Sequence, residues 1–525
     1  MIFQDFQSIV QRFVQYCTAN HWRLRTSLLI SGAVYPLAFE PFGWWLLAFL
    51  SIIFLCLVIL SDKVLSNFKV GLYWGLGAFG VGASWVYVSI HEFGFVPMIG
   101  AAALTLLFVV ILSLYKAIFA WVAGWFIVRT GKMLAVISLP LAWLLSEWIQ
   151  ASFLNGFPWL LTGYSQIDSP LGAVASWVGV FGVSWFTLCF SCLIALMLLS
   201  KQIKVYLAVS GILVLVVISI NWQYFSLKPH KKRNAPVDVA LIQPNVLQHE
   251  KWDRRYFGKI VQTMYQQTED VWEAELIVWP EGAIPAYAHQ VQDITRDLEI
   301  KAKNNSSHLI MGIPEYQKSN GRSYVALKSF GESLQSYHKQ VLVPFGEYVP
   351  MEDWLRGAIK FLNLPMSGFS EASNEQPPMR VSDYVLVPAI CYEIAYPGIV
   401  RGLAIQAGEQ PAMIVTVSNE AWFGDSFGPY QHMQMARMRA KELGIPLIRS
   451  TNDGITAVVD SRGKLLKKLP RYQAGSLRAK VELTNLPTIY QRYGFWGLYA
   501  TLIVCLLILV VAFFSKMETK STKSE

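Results

Sequence analysis

The stretch VPAICYEIAYP, residues 387–397, is an apolar run of strand length that stops at a cysteine and carries a glutamate two residues further on. Short apolar runs bounded by turn residues read as buried strands, and this one belongs to a series. Upstream, VDVALIQPNV (237–246) and LIVWPEGAIP (276–285) read the same way, separated by an amphipathic helix in RRYFGKIVQTMYQQTEDVWEA (254–274). A helix at 291–303 then leads into the strand HLIMGIPEY (308–316). Further strand-like runs lie at 323–330, 337–343, 384–391 and 412–418, and the helix PYQHMQMARMRAKELG (429–444) precedes a strand pair within 446–460. Strands alternating with helices, then paired strands, predict an α/β layered domain.

What a lone thiol does at a strand end depends on its compartment, and the rest of the chain decides that. Of 525 residues, 54% are hydrophobic and only 15% charged. A soluble chain averages nearer a quarter charged, so a large part of this one belongs in lipid. The 19 Trp and 23 Tyr fit, because amphipathic rings collect at membrane interfaces. The net charge of +9 raises a nucleic-acid partner, but the basic residues flank apolar segments, which points to membrane orientation instead.

Predicted spans are 70–90, 97–128, 133–153, 171–200, 205–222 and 495–514. As one helix, 26–60 would run about 52 Å, far beyond a core of about 30 Å. Pro36 and the EPFG at 40–43 also interrupt it, so it reads as two short helices and the count is eight. With the N-terminus inside, the inside segments hold Arg12, Arg23 and Arg25, Lys63 and Lys69, Arg129 and Lys132, Lys201 and Lys204, and Lys516, Lys520 and Lys523. The outside loops at 40–44, 91–96 and 154–170 contain no Lys or Arg. That asymmetry follows the positive-inside rule and places both termini in the cytoplasm. The division is then a membrane domain 1–225 with seven spans, an outside domain 226–488, and a last span with a short tail, 489–525. The basic KPHKKR that opens the outside domain reads as a solvated collar or as a contact for anionic headgroups.

Five cysteines lie in or near apolar segments, and the CxxC of Cys189 and Cys192 has no second ligand pair, which fits membrane packing. Cys391 is alone in a domain outside the cytoplasmic membrane, where thiols tend to be oxidised. An unpaired thiol there is kept for its reactivity, although a small core hydrophobe is the other reading. A cysteine nucleophile needs a base to take its proton and a cation to hold the charge that develops. Glu281 and Lys339, each at the end of an apolar run, supply those types. Singly, Glu281 also fits a helix cap and Lys339 a solvated side chain.

Glu281 in WPEG, Lys339 before VPFGE and Cys391 in CYE, in that order, resemble the Glu-Lys-Cys triad of the nitrilase superfamily. GFPWLLTGYSQ (156–166), KW (251–252), VLVPFGEYVP (341–350), ICYEIAYP (390–397) and NEAWFG (419–424) narrow this to a close resemblance to bacterial apolipoprotein N-acyltransferases, over nearly the whole chain. The resemblance implies eight spans with an extracytoplasmic nitrilase-like α-β-β-α sandwich before the last, in the bacterial inner membrane. It also implies acyl transfer from a phospholipid, typically phosphatidylethanolamine, to the α-amine of a diacylglyceryl-cysteine on lipoproteins. No cofactor, metal or nucleic acid is implied. A membrane-tethered amidase and a non-enzymatic scaffold are the alternatives. Glu347 is expected to hold the lysine, and the backbone N–H of Tyr392 to face the oxyanion. Glu393 reads equally as a hydrogen-bond acceptor near the nucleophile or a strand-end group. Trp252, Tyr392 and Trp422 read as walls for an acyl chain or as core. Glu420 stands where relatives usually carry Asp, and Val325 where they carry Asn. Lys116 and Glu147, inside predicted spans, read as a structural buried pair.

Overall fold

The computed structural model describes residues 2–344, 346–348, 368–373 and 375–521. The chain divides into two compact units, one of Met1–Tyr87, Met98–Leu227 and Tyr493–Glu525, the other of Val88–Pro97 and Lys228–Arg492.

The first unit is helical. Among the described residues, five of its helices are long and apolar enough to cross a bilayer: Met98–Thr130, Lys132–Asn155, Pro170–Leu199, Ile203–Ser226 and Trp496–Ser515. Such helices satisfy their backbone groups internally, which lipid requires. The break at Pro36 and EPFG is present, with helices His21–Val34 and Leu46–Leu60 on either side of it. These two and Asn67–Gly82 have 14, 15 and 16 residues, shorter than the roughly 20 that span a hydrocarbon core. An amphipathic helix, Ile2–Thr18, precedes them. Its Gln7 and Gln11 donate side-chain N–H groups to the carbonyls of Met197, Leu198 and Ser200, serving carbonyls that a helix end leaves without intrahelical partners.

Lys116 and Glu147 are both buried, yet they form no direct ion pair among the described residues. The Glu147 carboxylate accepts instead from Trp143 Nε1, the Thr162 amide and the Thr162 hydroxyl. The Lys116 ammonium lies 4.2 Å from the centroid of the Trp143 ring. The expected pair is therefore linked through the indole, whose edge donates to the carboxylate while its face takes the cation.

Among its described residues the second unit contains twelve principal strands. They are β1 (Val237–Gln243), β2 (Leu276–Trp279), β3 (His308–Gln317), β4 (Arg322–Phe330), β5 (Ser336–His338), β6 (Met379–Val381), β7 (Tyr384–Ile390), β8 (Ala412–Ser418), β9 (Leu447–Thr451), β10 (Ala457–Val459), β11 (Leu465–Lys468) and β12 (Gly475–Val481). One six-stranded sheet runs β12-β1-β2-β3-β4-β5 and the other β11-β10-β9-β8-β7-β6. Strands β1, β2 and β3 are parallel, as are β7, β8 and β9; antiparallel strands flank each set. All four residues of β2 are buried, as expected of a strand covered on both faces, whereas β12 alternates, as an edge strand does. Helices Phe257–Glu269 and Gln292–Asn304 cover the first sheet, where Met264, Leu298 and Ala302 pack with Ile277, Trp279 and Met311. Pro397–Ala407 and Gly428–Leu443 pack on the second. Between the sheets, the Ser450 hydroxyl of β9 donates to the Ile242 carbonyl of β1. The order is helix, sheet, sheet, helix.

The sequence expects the run 337–343 to be strand throughout; the ladder stops at His338. Beyond it the backbone turns to other partners, with the Gln340 amide donating to the Glu393 carboxylate.

Candidate active site

Ligands on α/β sheets gather at the carboxyl ends of the strands, and three such ends supply this site. Glu281 lies two residues past β2, Cys391 immediately past β7, and Ser418 closes β8. Lys339 follows the antiparallel β5, with its amide bonded to the Val325 carbonyl of β4. Val325 thus acts on the site through its backbone, a role open to any side chain there.

The Lys339 ammonium is fully buried between two carboxylates, 3.2 Å from Glu281 Oε1 and 2.6 Å from Glu347 Oε1. Burial alone disfavours its charge, but Glu281, Glu347 and Cys391 more than reverse this and hold the lysine above its ordinary pKa. It is a permanent cation. Glu347 Oε2 accepts from the Val343 amide, closing the loop between lysine and glutamate. Burial is the main cause pushing Glu347 upward, with Lys339 opposing. Glu281 Oε2 accepts from the Asn419 amide, so both of its oxygens have a donor. Gly312 of β3 makes room beside it, since a Cβ there would lie 2.6 Å from Glu281 Cα.

Cys391 has φ of +51°, in the left-handed region that costs an L-residue of order 1–2 kcal/mol. This elbow turns the chain from β7 into the short helical turn Cys391–Ala395. Desolvation is the largest influence on the thiol, followed by Glu281, which also raises it, and by Lys339 and Ser418, which lower it; the net pKa is about 12. The Ser418 hydroxyl donates to the sulfur at 3.4 Å. At neutral pH the resting group is therefore a thiol that must lose its proton as it attacks, with a carboxylate and an ammonium at hand.

Glu393 lies two residues past Cys391 and is fully buried. Its carboxylate accepts from the Ile390 amide at 2.7 Å, the Gln340 amide at 2.5 Å and the Tyr337 hydroxyl at 3.2 Å. It therefore ties the end of β7, where Cys391 begins, to the residue after Lys339. Burial raises its pKa to about 7, against the two backbone donors.

Tyr392 is the second residue of the elbow turn and is buried. Trp252 and Trp422 are half-buried, and among the described residues neither indole hydrogen-bonds to the triad. Trp422 packs edge-on against Phe93, while its carbonyl accepts from the Ser89 hydroxyl. Among the described residues no group of three or more His, Cys, Asp or Glu is placed to hold a metal ion.

Sequence reading gives no separate role to Ser418, Lys251 or His432. Buried Lys251 donates to the Glu281 carbonyl at 2.9 Å, and burial lowers its pKa to about 8. His432 meets the Cys391 carbonyl at 3.0 Å. The motifs KW and NEAWFG flag the neighbourhood of the first two. Only the helical pattern around His432 was visible, and that predicts a packed face.

Residues 31–193 match the family described as Apolipoprotein N-acyltransferase N-terminal domain, and residues 238–489 match Carbon-nitrogen hydrolase. Three relatives, each named apolipoprotein N-acyltransferase, come from Vibrio parahaemolyticus, Photobacterium profundum and Coxiella burnetii. They are 37%, 38% and 34% identical, over 91%, 89% and 91% of this chain and 95%, 91% and 98% of their own. Among solved structures, a carbon-nitrogen hydrolase from Helicobacter pylori G27 is 16% identical over 47% of this chain and 89% of its own, with a TM-score of 0.36. An amidase from Nesterenkonia sp. is 20% identical over 51% and 97%, with a TM-score of 0.35. With full-length relatives above one-third identity, this chain belongs to the apolipoprotein N-acyltransferase family.

Proposed function

We propose that the protein is a membrane-embedded acyltransferase that moves a fatty acyl chain from a phospholipid to the α-amino group of the N-terminal diacylglyceryl-cysteine of lipoproteins. Phosphatidylethanolamine is the donor we favour. The observation that carries the reading is the buried Lys339 ammonium held against Glu281, beside the Cys391 thiol that follows β7 of the other sheet, in a chain whose other unit has five helices of membrane-crossing length among its described residues. We further propose eight spans, with both termini in the cytoplasm and the second unit on the periplasmic side. The absence of Lys and Arg from 40–44, 91–96 and 154–170 supports this sidedness.

The chemistry runs in two halves. Glu281 takes the proton of the Cys391 thiol as the sulfur attacks the ester carbonyl of the phospholipid. The carbonyl electrons move to oxygen, and that charge is met by the Lys339 ammonium and the Tyr392 backbone N–H. When the tetrahedral centre collapses, the carbon–oxygen bond to glycerol breaks, and protonated Glu281 returns its proton to the departing lysophospholipid oxygen. The neutral amine of the acceptor then attacks the thioester, Glu281 again takes a proton, and it passes that proton to the sulfur as the carbon–sulfur bond breaks, restoring the Cys391 thiol and the Glu281 carboxylate. A thiol with a pKa of about 12 stays protonated between turnovers, which suits an oxidising compartment because the thiolate is the form that oxidises readily. Glu347 orients the lysine, and Glu393 holds the two strand ends in register.

The test is purified protein with phospholipid vesicles and a diacylglyceryl peptide. The reading requires N-acylated peptide and lysophospholipid in equal amounts. Free fatty acid in place of acylated peptide would make the chain a hydrolase.

A further inference from the structure

The carbonyl of Cys391 ends a buried chain of polar groups that the acyl-transfer scheme leaves unused. A carbonyl oxygen can only accept, so the 3.0 Å contact with His432 requires the imidazole proton on Nε2. Nδ1 then faces Glu420 Oε1 and Arg449 Nη2, each at 2.9 Å. Arg449 Nη2 also donates to Glu420 Oε1, and Glu420 Oε2 accepts from the Ile455 amide at 3.1 Å. All three side chains are at most 1% exposed. Burial opposes charge on Glu420, yet Arg449 and His432 hold its pKa down at about 2. Burial and Arg449 both push His432 below its ordinary value. Arg449, donating to Nδ1, leaves the ring proton on Nε2, where it meets the Cys391 carbonyl. Gly454 completes the seat, since a Cβ there would lie 1.7 Å from Glu420 Oε2.

The bond from His432 falls on the peptide that joins Cys391 to Tyr392. A peptide is one resonant unit, so a hydrogen bond at its oxygen moves electron density from nitrogen to oxygen and makes the N–H at its other end a stronger donor. The same bond fixes the plane of that peptide beside a cysteine held at φ +51°. We propose that His432, oriented by Arg449 and Glu420, is a positioning residue for the oxyanion hole. It sets the direction and polarity of the Tyr392 N–H, and rests on the reading of that N–H as an oxyanion donor. Glu420 is the anchor of this relay.

Alkylation separates this role from simple packing. Iodoacetamide attacks the Cys391 sulfur by displacement and builds no oxyanion, whereas thioester formation from phospholipid does. Both rates are measured on full-length protein by mass spectrometry of the Cys391 peptide, for wild type and for His432→Leu, His432→Asn and His432→Gln. His432→Leu should slow thioester formation roughly tenfold, less than the about 100-fold lost with a direct oxyanion donor, while alkylation keeps its wild-type rate. Glutamine, long enough to return an N–H to the carbonyl, should recover most of the loss, and asparagine should not. If the leucine variant does not fold, the Gln and Asn pair decides alone. Equal loss in both reactions, no loss in either, or equal behaviour of Gln and Asn would overturn the inference. A wild-type protein that forms no thioester removes the underlying reading and this inference with it; one that acylates normally while His432→Asn does the same removes this inference alone.

Discussion

Lys339 Nζ lies 2.6 Å from Glu347 Oε1, the shorter of its two carboxylate contacts. The lysine is thus held closer to Glu347 than to Glu281, at 3.2 Å, which fits our proposal that Glu347 anchors it while Glu281 serves as the base. The division of labour follows from these two distances together with the Val343 amide that holds Glu347 from behind.

Glu281→Gln separates base from electrostatic neighbour. A neutral amide cannot take the thiol proton, so thioester formation from phospholipid should stop. The Glu281 charge is also one of the causes that raise the thiol, so removing it lowers the thiol pKa and increases the thiolate fraction at any pH below it. Iodoacetamide labelling of Cys391 at pH 9 should therefore be faster than in wild type. Slower labelling would mean that Glu281 does not act on Cys391 as its charge predicts.

Lys339→Met should slow acylation about 100- to 1000-fold, the usual loss of an oxyanion contact worth about 2.7–4 kcal/mol. It should also lower the melting temperature, because Glu281 and Glu347 are left buried without their cation. Glu347→Gln keeps an oxygen for the lysine and should be milder on both counts. Rates of thioester formation without acceptor, paired with thermal unfolding, check the order; a Glu347→Gln defect larger than that of Lys339→Met contradicts it.

Glu393 predicts an unusual pH dependence. Its folded pKa of about 7 lies above the ordinary glutamate value of about 4.3. A raised carboxylate contributes stability that is fully present below the ordinary value and lost as pH rises through 7. Removing the group should therefore shrink the gap in melting temperature between pH 5 and pH 8. Glu393→Gln also gives up one of the two backbone amides held by the carboxylate, so it should unfold earlier at both pH values. An unchanged gap in Glu393→Gln would show that another group sets it.

Much of this site was legible because catalytic groups stand where apolar runs stop. WPEG and ICYEIAYP carry Glu281 and Cys391 out of β2 and β7, and the eight-residue spacing from Lys339 to Glu347 sits in one loop. The contacts that were not legible are long-range. Asn419, one residue past β8, reaches Glu281, Ser418 reaches Cys391 from the neighbouring strand, and Lys251 reaches the Glu281 carbonyl. Nothing local marks them, because each partner is brought in by the packing of elements far apart in sequence. His432 was hidden for a further reason: an amphipathic helix face gives the same pattern whether a histidine packs or donates. In the first unit, the cut that Pro36 and EPFG make in one long apolar run was legible, and helices of 14 and 15 residues stand on either side of it.

Sidedness is open to labelling. In a background lacking the native cysteines, Gly94→Cys and Lys232→Cys should react with a membrane-impermeant maleimide in intact spheroplasts. Gln202→Cys should react only after lysis. Reaction at 202 in intact cells would overturn the arrangement that places Lys201 and Lys204 inside.

The central claim is that Cys391 carries the acyl group between donor and acceptor. The direct measurement is the mass of the Cys391 peptide after the purified protein meets labelled phospholipid with no acceptor present. The account predicts one acyl chain on that peptide, an equal amount of lysophospholipid, and loss of the adduct when a diacylglyceryl peptide is added. Formation of N-acylated peptide with no adduct on Cys391, or by Cys391→Ala, would contradict it.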